Sequence, residues 1–189
     1  MLRSVYDRMM LLAASRQGPW WLGLVAFCEG IFFPIPPDLM LMPMVLARRE
    51  RAWLYAGITL IASLCGGTVG YGVGVAFEGI GRAILALTGT SGVGVDKFMA
   101  TYRQWGVLVI ALPIPYKLTA IVSGMTRFSF PLFIGASFVI RGIRFFLVAF
   151  LMRTYGPPIQ GFVEKRLALV ISAVAVAIVL AIFALKLMH

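Results

Sequence analysis

Five ionisable residues stand inside the long apolar stretches of this 189-residue chain. They are two acids and three bases, namely Glu29, Asp38, Lys117, Arg141 and Arg144. A charged side chain inside a bilayer is costly, so such residues usually face a partner or a polar cavity and take part in function. A carboxyl group removed from water takes up protons more readily, and a guanidinium group is well shaped to bind phosphate. These residue types therefore predict a proton-binding and anion-binding site within a membrane.

The composition indicates a membrane protein. Hydrophobic residues make up 61% of the chain, charged residues make up 13%, and the mean hydropathy is +0.95. A soluble domain usually has about 25% charged residues. The basic residues that give the formal net charge of +10 stand mostly between the apolar segments, as expected for loops near anionic headgroups. We therefore expect a lipid partner and no nucleic acid. The length predicts a single membrane domain over residues 1–189.

Prolines interrupt two of the apolar segments, in FFPIPPD at 32–38 and in LPIPYK at 112–117. Proline removes a backbone donor and clashes with the preceding helical turn. About 14 residues precede the first interruption, which gives roughly 21 Å of helix and crosses about half of a bilayer. We therefore predict re-entrant hairpins over 20–47 and 106–125, and a proline kink within an ordinary span is the alternative. The predicted hairpin tips are Pro34, Pro36, Pro37, Pro113 and Pro115.

The two interruptions resemble copies of one another. A spacing of 79 positions separates Pro34 from Pro113, Pro36 from Pro115, Asp38 from Lys117, and Arg48 from Arg127. Two hairpins that enter from opposite faces make an inverted repeat, with a site near the midplane where the broken helices meet. If the tips meet, Asp38 and Lys117 can pair. Alternatively, Asp38 caps the helix that restarts after Pro37.

Full transmembrane spans are predicted over 53–77, 130–152 and 167–186. Residues 1–19 are predicted to form an interfacial amphipathic helix, and 78–104 an external segment along the membrane surface. The excess of Lys and Arg assigns the N-terminus to the cytoplasm. The predicted fold class is an all-α membrane protein with two inverted-repeat re-entrant hairpins and about three full transmembrane helices.

Closely spaced glycines occur in GGTVGYGVG at 66–74. The stretch lacks the strand and the spacing of a nucleotide-binding loop. Gly66, Gly70 and Gly74 are four residues apart, which predicts a face for close helix packing. Arg141 and Arg144 also share a helix face, and they either bind an anion or neutralise Glu29 and snorkel.

Residues suited to enzymatic catalysis are scarce. The single histidine, His189, is the last residue, and the sequence has neither a His/Cys/Asp cluster for a metal nor a nucleophile next to a base. We predict no enzyme activity, metal or cofactor, with a carboxylate-based membrane hydrolase as the alternative. Cys28 and Cys65 are predicted to be buried thiols rather than a disulfide.

Glu29 followed by FFPIPPD, the span GGTVGYGVG, and a second broken segment that ends in Ser123-Gly124 resemble the DedA family, also called the VTT or SNARE-associated family. The resemblance covers roughly residues 20–155. It implies facing re-entrant hairpins in a bacterial inner membrane, movement of lipids between leaflets, and dependence on the proton motive force. Glu29 and Asp38 match the acidic positions of the family. ALPIPYKLTAIVSG lacks the arginine pair of many members, which resembles a divergent PxPYK-type subgroup.

We therefore expect a multi-pass membrane lipid translocase for an anionic lipid such as polyprenyl phosphate or a phospholipid. Lys117, Arg141 and Arg144 would bind the headgroup, and Glu29 or Asp38 would carry a coupling proton. A homo-oligomer is compatible with this prediction. The alternatives are a proton-coupled transporter of small cations or drugs, and a membrane scaffold without transport activity.

Overall fold

The computed structural model describes residues 17–32, 36–77 and 114–156, together with scattered positions between 79 and 110. Five α-helices are described, and a 3₁₀ turn at Arg49–Arg51 joins the second to the third. The helices are α1 (Gly18–Glu29), α2 (Asp38–Ala47), α3 (Ala52–Ala76), α4 (Tyr116–Met125) and α5 (Phe130–Tyr155). The predicted all-α class is confirmed for these residues. Several predicted features lie largely or wholly outside the described residues. They are the helix at 1–19, the span at 167–186, Pro34, Pro113 and most of the segment 78–104.

The prolines of the two interruptions mark where helices begin. α2 starts directly after Pro37, and α4 starts directly after Pro115. Proline is tolerated at or just before the first turn of a helix, where no intrahelical donor is needed, and it disrupts a helix interior. α1 and α2 are therefore separate helices, and α4 begins as a new helix after Pro115.

Within the ranges that the structure describes, two helices are long and apolar enough to cross a membrane. They are Arg49–Ala76, which combines the 3₁₀ turn with α3 and has 28 residues, and α5, which has 26. α3 and α5 are antiparallel, since Trp53 stacks on Phe146 at one end with ring centroids 5.9 Å apart, and Tyr71 stacks on Phe133 at the other end at 5.6 Å.

The glycine face of α3 allows close approach of two other helices, and this prediction is confirmed. A Cβ atom on Gly70 would lie 2.8 Å from the carbonyl oxygen of Gly30, just after α1. A Cβ atom on Gly74 would lie 3.0 Å from the Cα atom of Gly124 in α4. These backbones touch because no side chain separates them.

α1 and α4 divide the length of α3 between them. Gly23 of α1 faces Ile58 and Ala62 of α3. Further along the chain, Gly30 lies against Gly67 of α3. α4 begins beside Gly67, because a Cβ atom on that glycine would lie 2.6 Å from the Cζ atom of Tyr116. The end of α1 and the start of α4 thus meet beside the middle of α3.

Two apolar clusters lie on either side of this meeting point. The first joins α2 to the start of α3 and the end of α5, and it contains Leu41, Val45, Tyr55, Ala56, Phe145 and Met152 among others. The second surrounds α4 and contains Tyr102, Ile110, Ile121, Val122 and Phe133. The polar residues of the candidate site lie between the two clusters.

The helix bounds repeat along the chain with the same spacing of 79 positions as the prolines. When the bounds of α2 and α3 are shifted by 79 positions, they become 117–126 and 131–155, within one residue of α4 and α5. The repeat thus extends beyond the two short proline stretches.

Candidate functional site

Glu29 and Arg141 form an ion pair between α1 and α5. Arg141 Nη2 donates to Glu29 Oε2 at 2.6 Å, and the side chains are 9% and 14% exposed. Glu29 is the last residue of α1, and Arg141 stands near the middle of α5. The pair is therefore located at the point where α1 ends, with little access to solvent.

Asp38 pairs with Arg144. The Arg144 Nη2 group donates to Asp38 Oδ2, and the Asp38 side chain is almost fully buried. The predicted partnership of Asp38 with Lys117 is thus replaced, among the described residues, by a contact between α2 and α5. The reason is helix packing, since α2 lies against α5 in the first apolar cluster whereas Lys117 is in the first turn of α4.

Lys117 lies at the junction of the two interruptions. Its Nζ atom donates to the carbonyl oxygen of Phe32 at 3.3 Å, and the residue is 5% exposed. A carbonyl freed by a break in an apolar segment needs a donor, and an ammonium group supplies one. Phe32 and Lys117 are 85 residues apart in sequence, so the two interruptions to which they belong meet in space.

Arg141 is held between aromatic rings in addition to its ion pair. Its guanidinium carbon lies 4.1 Å from the ring centroid of Tyr116 and 5.0 Å from that of Phe145. Cation–π contacts of this kind strengthen when water is excluded. Arg141 is thus fixed on several sides, whereas the Arg144 side chain, at 32% exposure, is more open.

The predicted site residues are linked through neighbouring contacts. Arg141 and Arg144, one turn apart on α5, bind Glu29 and Asp38, and Lys117 follows Tyr116, whose ring contacts Arg141. Two acids and three bases leave one positive charge in excess. Such a cluster can accommodate a group that carries one more negative charge than positive. Arg144 is the most exposed of the paired cations, so it is best placed to exchange its carboxylate for another anion.

Three hydroxyl groups beside this cluster were not predicted. Ser63, Tyr116 and Ser137 are at most 4% exposed, and within the described part of the chain none of their hydroxyl groups meets hydrogen-bond geometry with a partner, although those of Tyr116 and Ser137 lie close together. Two of them stand close to predicted site residues in the sequence, which is the signal that could have indicated them. Ser137 is one helical turn before Arg141, and Tyr116 is next to Lys117.

The far end of α4 has a structural role. Ser123 Oγ lies 2.5 Å from the Tyr102 hydroxyl and 2.5 Å from the carbonyl oxygen of Thr119. Burial raises the pKa of Tyr102 to about 12, although its hydrogen bond with Ser123 opposes that rise. The phenol is therefore neutral near pH 7 and serves as a packing and hydrogen-bonding group.

In the part of the chain that the structure describes, no three His, Cys, Asp or Glu side chains come together in a way that could hold a metal ion. Cys28 and Cys65 are both free thiols, but neither is fully buried as predicted, since Cys28 is half-buried and Cys65 is exposed.

Two relatives match this chain over nearly its full length. One, described as an uncharacterized protein of Haemophilus influenzae, is 36% identical over 187 residues that cover 97% of each protein. Another, described as an uncharacterized protein of Histophilus somni, is 31% identical over 187 residues that cover 94% of this chain and 97% of the relative. No protein-family model and no solved structure matches the chain. The chain therefore belongs to the same family as these uncharacterized proteins of Haemophilus influenzae and Histophilus somni.

Proposed function

We propose that this protein is a lipid translocase of DedA type in a bacterial inner membrane, which moves a lipid with an anionic headgroup between leaflets. The headgroup binds at the cluster of Lys117, Arg141 and Arg144, and a carboxyl group of Glu29 or Asp38 carries a coupling proton. The observation that carries the proposal is the meeting of two broken segments at one buried, charged site beside the middle of α3.

The outer faces of the two long helices support a membrane location. Large apolar side chains face outward along α3 and α5, among them Leu54 at 55% exposure, Ile61 at 64%, Leu132 at 56% and Phe138 at 55%. Exposed apolar surface is costly in water at roughly 25 cal/mol per Å², and it carries no such cost in hydrocarbon. A bilayer is the environment that suits these faces.

The path of the chain supports a re-entrant hairpin over α1 and α2. α1 advances along α3 from the level of Ile58 to that of Gly67. α2 then returns to pack near Tyr55, and a short turn leads from Ala47 into α3. Both ends of this segment therefore lie at the same end of α3, as they would in a hairpin that enters and leaves on one face.

α4, which follows the second interruption, runs along α3 in the direction opposite to that of α2. α4 leads away from the middle of α3 towards Gly74, and Gly106 lies beside Phe128 just after α4. The chain before and after the break therefore meets near the other end of α3. Two oppositely directed hairpins with a shared midplane site are a recurrent transporter plan.

The charge balance favours an anionic cargo over a small cation. The cluster has one cation more than its acids can neutralise, and burial makes an uncompensated charge costly. A phosphate group would supply the missing negative charge and is well matched by a guanidinium fork. A small cation would add a second uncompensated charge to the same site.

Flux of a labelled polyprenyl phosphate through proteoliposomes tests the proposal. We expect wild-type protein to exceed protein-free liposomes, with Asp38→Asn and Lys117→Ala reduced at least tenfold. The matched controls are Glu50→Gln and Arg127→Ala, an exposed acid and an exposed base at helix ends, which should retain wild-type flux. Absence of flux in the wild type, or equal flux in the site variants, would refute the proposal.

A further inference from the structure

The unpartnered hydroxyl groups of Ser63 and Ser137 differ from the other helical hydroxyls around them. Thr59, Thr119 and Thr126 each donate to a carbonyl oxygen of their own helix at 2.8 Å. That local bond is the usual solution for a buried Ser or Thr in an apolar helix. Ser63 and Ser137 are 0% exposed and do not make it, and neither hydroxyl meets hydrogen-bond geometry with another group among the described residues, although Ser137 lies close to the Tyr116 hydroxyl. A buried hydroxyl without a partner costs free energy, so its retention needs a reason.

The two serines flank the phenol of Tyr116. On α5, the Tyr116 ring stacks on Phe133 with centroids 6.1 Å apart and lies 4.1 Å from the Arg141 guanidinium carbon. Ser137 is four residues from both Phe133 and Arg141, hence on the same helix face and between them. On α3, the phenol lies against Gly67, and Ser63 is one turn before it on the buried face. Hydroxyls from α3, α4 and α5 therefore converge within about one helical turn.

A charged side chain completes this group. Arg141 donates a hydrogen bond from Nη2 to Glu29 Oε2, but its Nε atom is buried and has no partner within the described residues. The group thus offers three hydroxyls and one guanidinium N–H. Hydroxyl and guanidinium donors together are typical of sites that bind phosphate oxygens.

Exposure falls steadily along this face of α5. The Arg144 side chain is 32% exposed, that of Arg141 is 9% exposed, and Ser137 is fully buried. An anion that arrives at Arg144 would therefore meet a second cation and then neutral donors as it moves inward. Neutral donors at the innermost position bind an oxyanion without the cost of burying another full charge.

We propose that Ser63, Tyr116 and Ser137 form an oxyanion subsite beside Arg141, which receives phosphate oxygens when Arg144 has admitted the ligand. The inference rests on the proposed function and assigns to the same site three residues that set its selectivity for phosphate. The ligand chemistry is a phosphate group, either on a lipid headgroup or as free inorganic phosphate. In the conformation described, the subsite is closed.

The test uses full-length protein with Ser63→Ala, Ser137→Ala and Tyr116→Phe. Thr59→Val is the matched control, because it removes a buried hydroxyl from the same face of α3 that already has a partner. Two readouts are measured for each variant. They are flux of labelled polyprenyl phosphate in proteoliposomes, and binding of inorganic phosphate by calorimetry in detergent. Should Ser137→Ala fail to fold, Ser137→Cys replaces it, since it retains the volume and weakens the donor.

We expect each subsite variant to lower lipid flux or phosphate affinity by about tenfold or more, which is the worth of one hydrogen bond to a charged group. Thr59→Val should leave both unchanged. The thermal unfolding midpoint of ligand-free Ser63→Ala and Ser137→Ala should stay equal or rise, because an unpartnered hydroxyl has been removed. A fall in function without a fall in stability is the signature that a packing role would not produce.

The outcomes separate the two proposals. If the wild type moves lipid and the serine variants move it equally well, the subsite is wrong and the translocase proposal stands. If the wild type moves no lipid but binds inorganic phosphate through these hydroxyls, the subsite is right for free phosphate and the lipid proposal is wrong. If it neither moves lipid nor binds phosphate, both are wrong.

Discussion

Arg141 Nη2 lies 2.6 Å from Glu29 Oε2, and this contact ties the end of α1 to the middle of α5. The two residues are 112 positions apart, so the pair forms only when the first broken segment and the second long helix are both in place. Because it is buried, its loss should weigh on stability as well as on function.

We expect Arg141→Met to destabilise the protein by about 3–5 kcal/mol, because it leaves Glu29 buried without a partner. The double variant Glu29→Gln with Arg141→Met should lose clearly less than the sum of the two single variants. Unfolding in mixed detergent micelles measures these differences. Glu50→Gln, an exposed substitution, should change stability by less than about 0.5 kcal/mol. Additive losses would contradict a direct interaction of the pair.

Glycine contacts on α3 allow a comparison of two neighbouring positions. Gly74→Ala should destabilise the protein by about 1–3 kcal/mol, because the new Cβ would lie 3.0 Å from the Cα atom of Gly124 and neither backbone can retreat cheaply. Gly72→Ala, on the open face with no atom within 4 Å, should be neutral or stabilising by about 0.5–1 kcal/mol. Thermal unfolding of both variants decides the matter. Equal effects would mean that α4 does not pack on this face.

A disulfide can test the direction of α1 along α3. A Cβ atom on Gly23 would lie 3.9 Å from the Cβ atom of Ala62, within the range for a disulfide. In a background with Cys28 and Cys65 replaced by alanine, Gly23→Cys with Ala62→Cys should form the bond on mild oxidation. Gel mobility before and after reduction reports it. The pair Gly23→Cys with Gly72→Cys, whose second position is more than two turns further along α3, should not react.

Accessibility from the two sides of the membrane tests the hairpin. In the same cysteine-free background, Gln17→Cys and Arg48→Cys flank the α1–α2 segment and are exposed. A membrane-impermeant maleimide should label both from the same side, and Gly79→Cys, beyond α3, from the opposite side. If positions 17 and 48 are labelled from opposite sides, the segment crosses the membrane and the hairpin is wrong.

Much of the architecture can be predicted from the sequence because its signals are local. The prolines stand where α2 and α4 begin, and the four-residue glycine spacing predicts a close-packing face on α3, which α1 and α4 occupy in the structure. Both signals depend on backbone geometry, which a short stretch of sequence determines.

The partner of Asp38 could not be predicted in the same way, whereas neutralisation of Glu29 by an arginine was one of the predicted alternatives. The repeat suggests Asp38 and Lys117 as partners, because they occupy equivalent positions. In the folded chain Asp38 meets Arg144, since α2 packs against α5, whereas Lys117 donates to Phe32. Which helix faces which depends on packing between distant segments, and spacing along the chain does not encode it. The hydroxyls of Ser63 and Ser137 were missed for a related reason, because serine is common in apolar helices and only the lack of a partner distinguishes them.

The spacing of 79 positions also shows how the charges of the two halves complement each other. The positions in α3 that correspond to Arg141 and Arg144 are Ala62 and Cys65, and both acids belong to the first half. Two copies of the first half would bring four carboxylates together, and two copies of the second half would bring together only cations. Each half therefore depends on the charges of the other, and neither could replace its counterpart in a self-paired assembly.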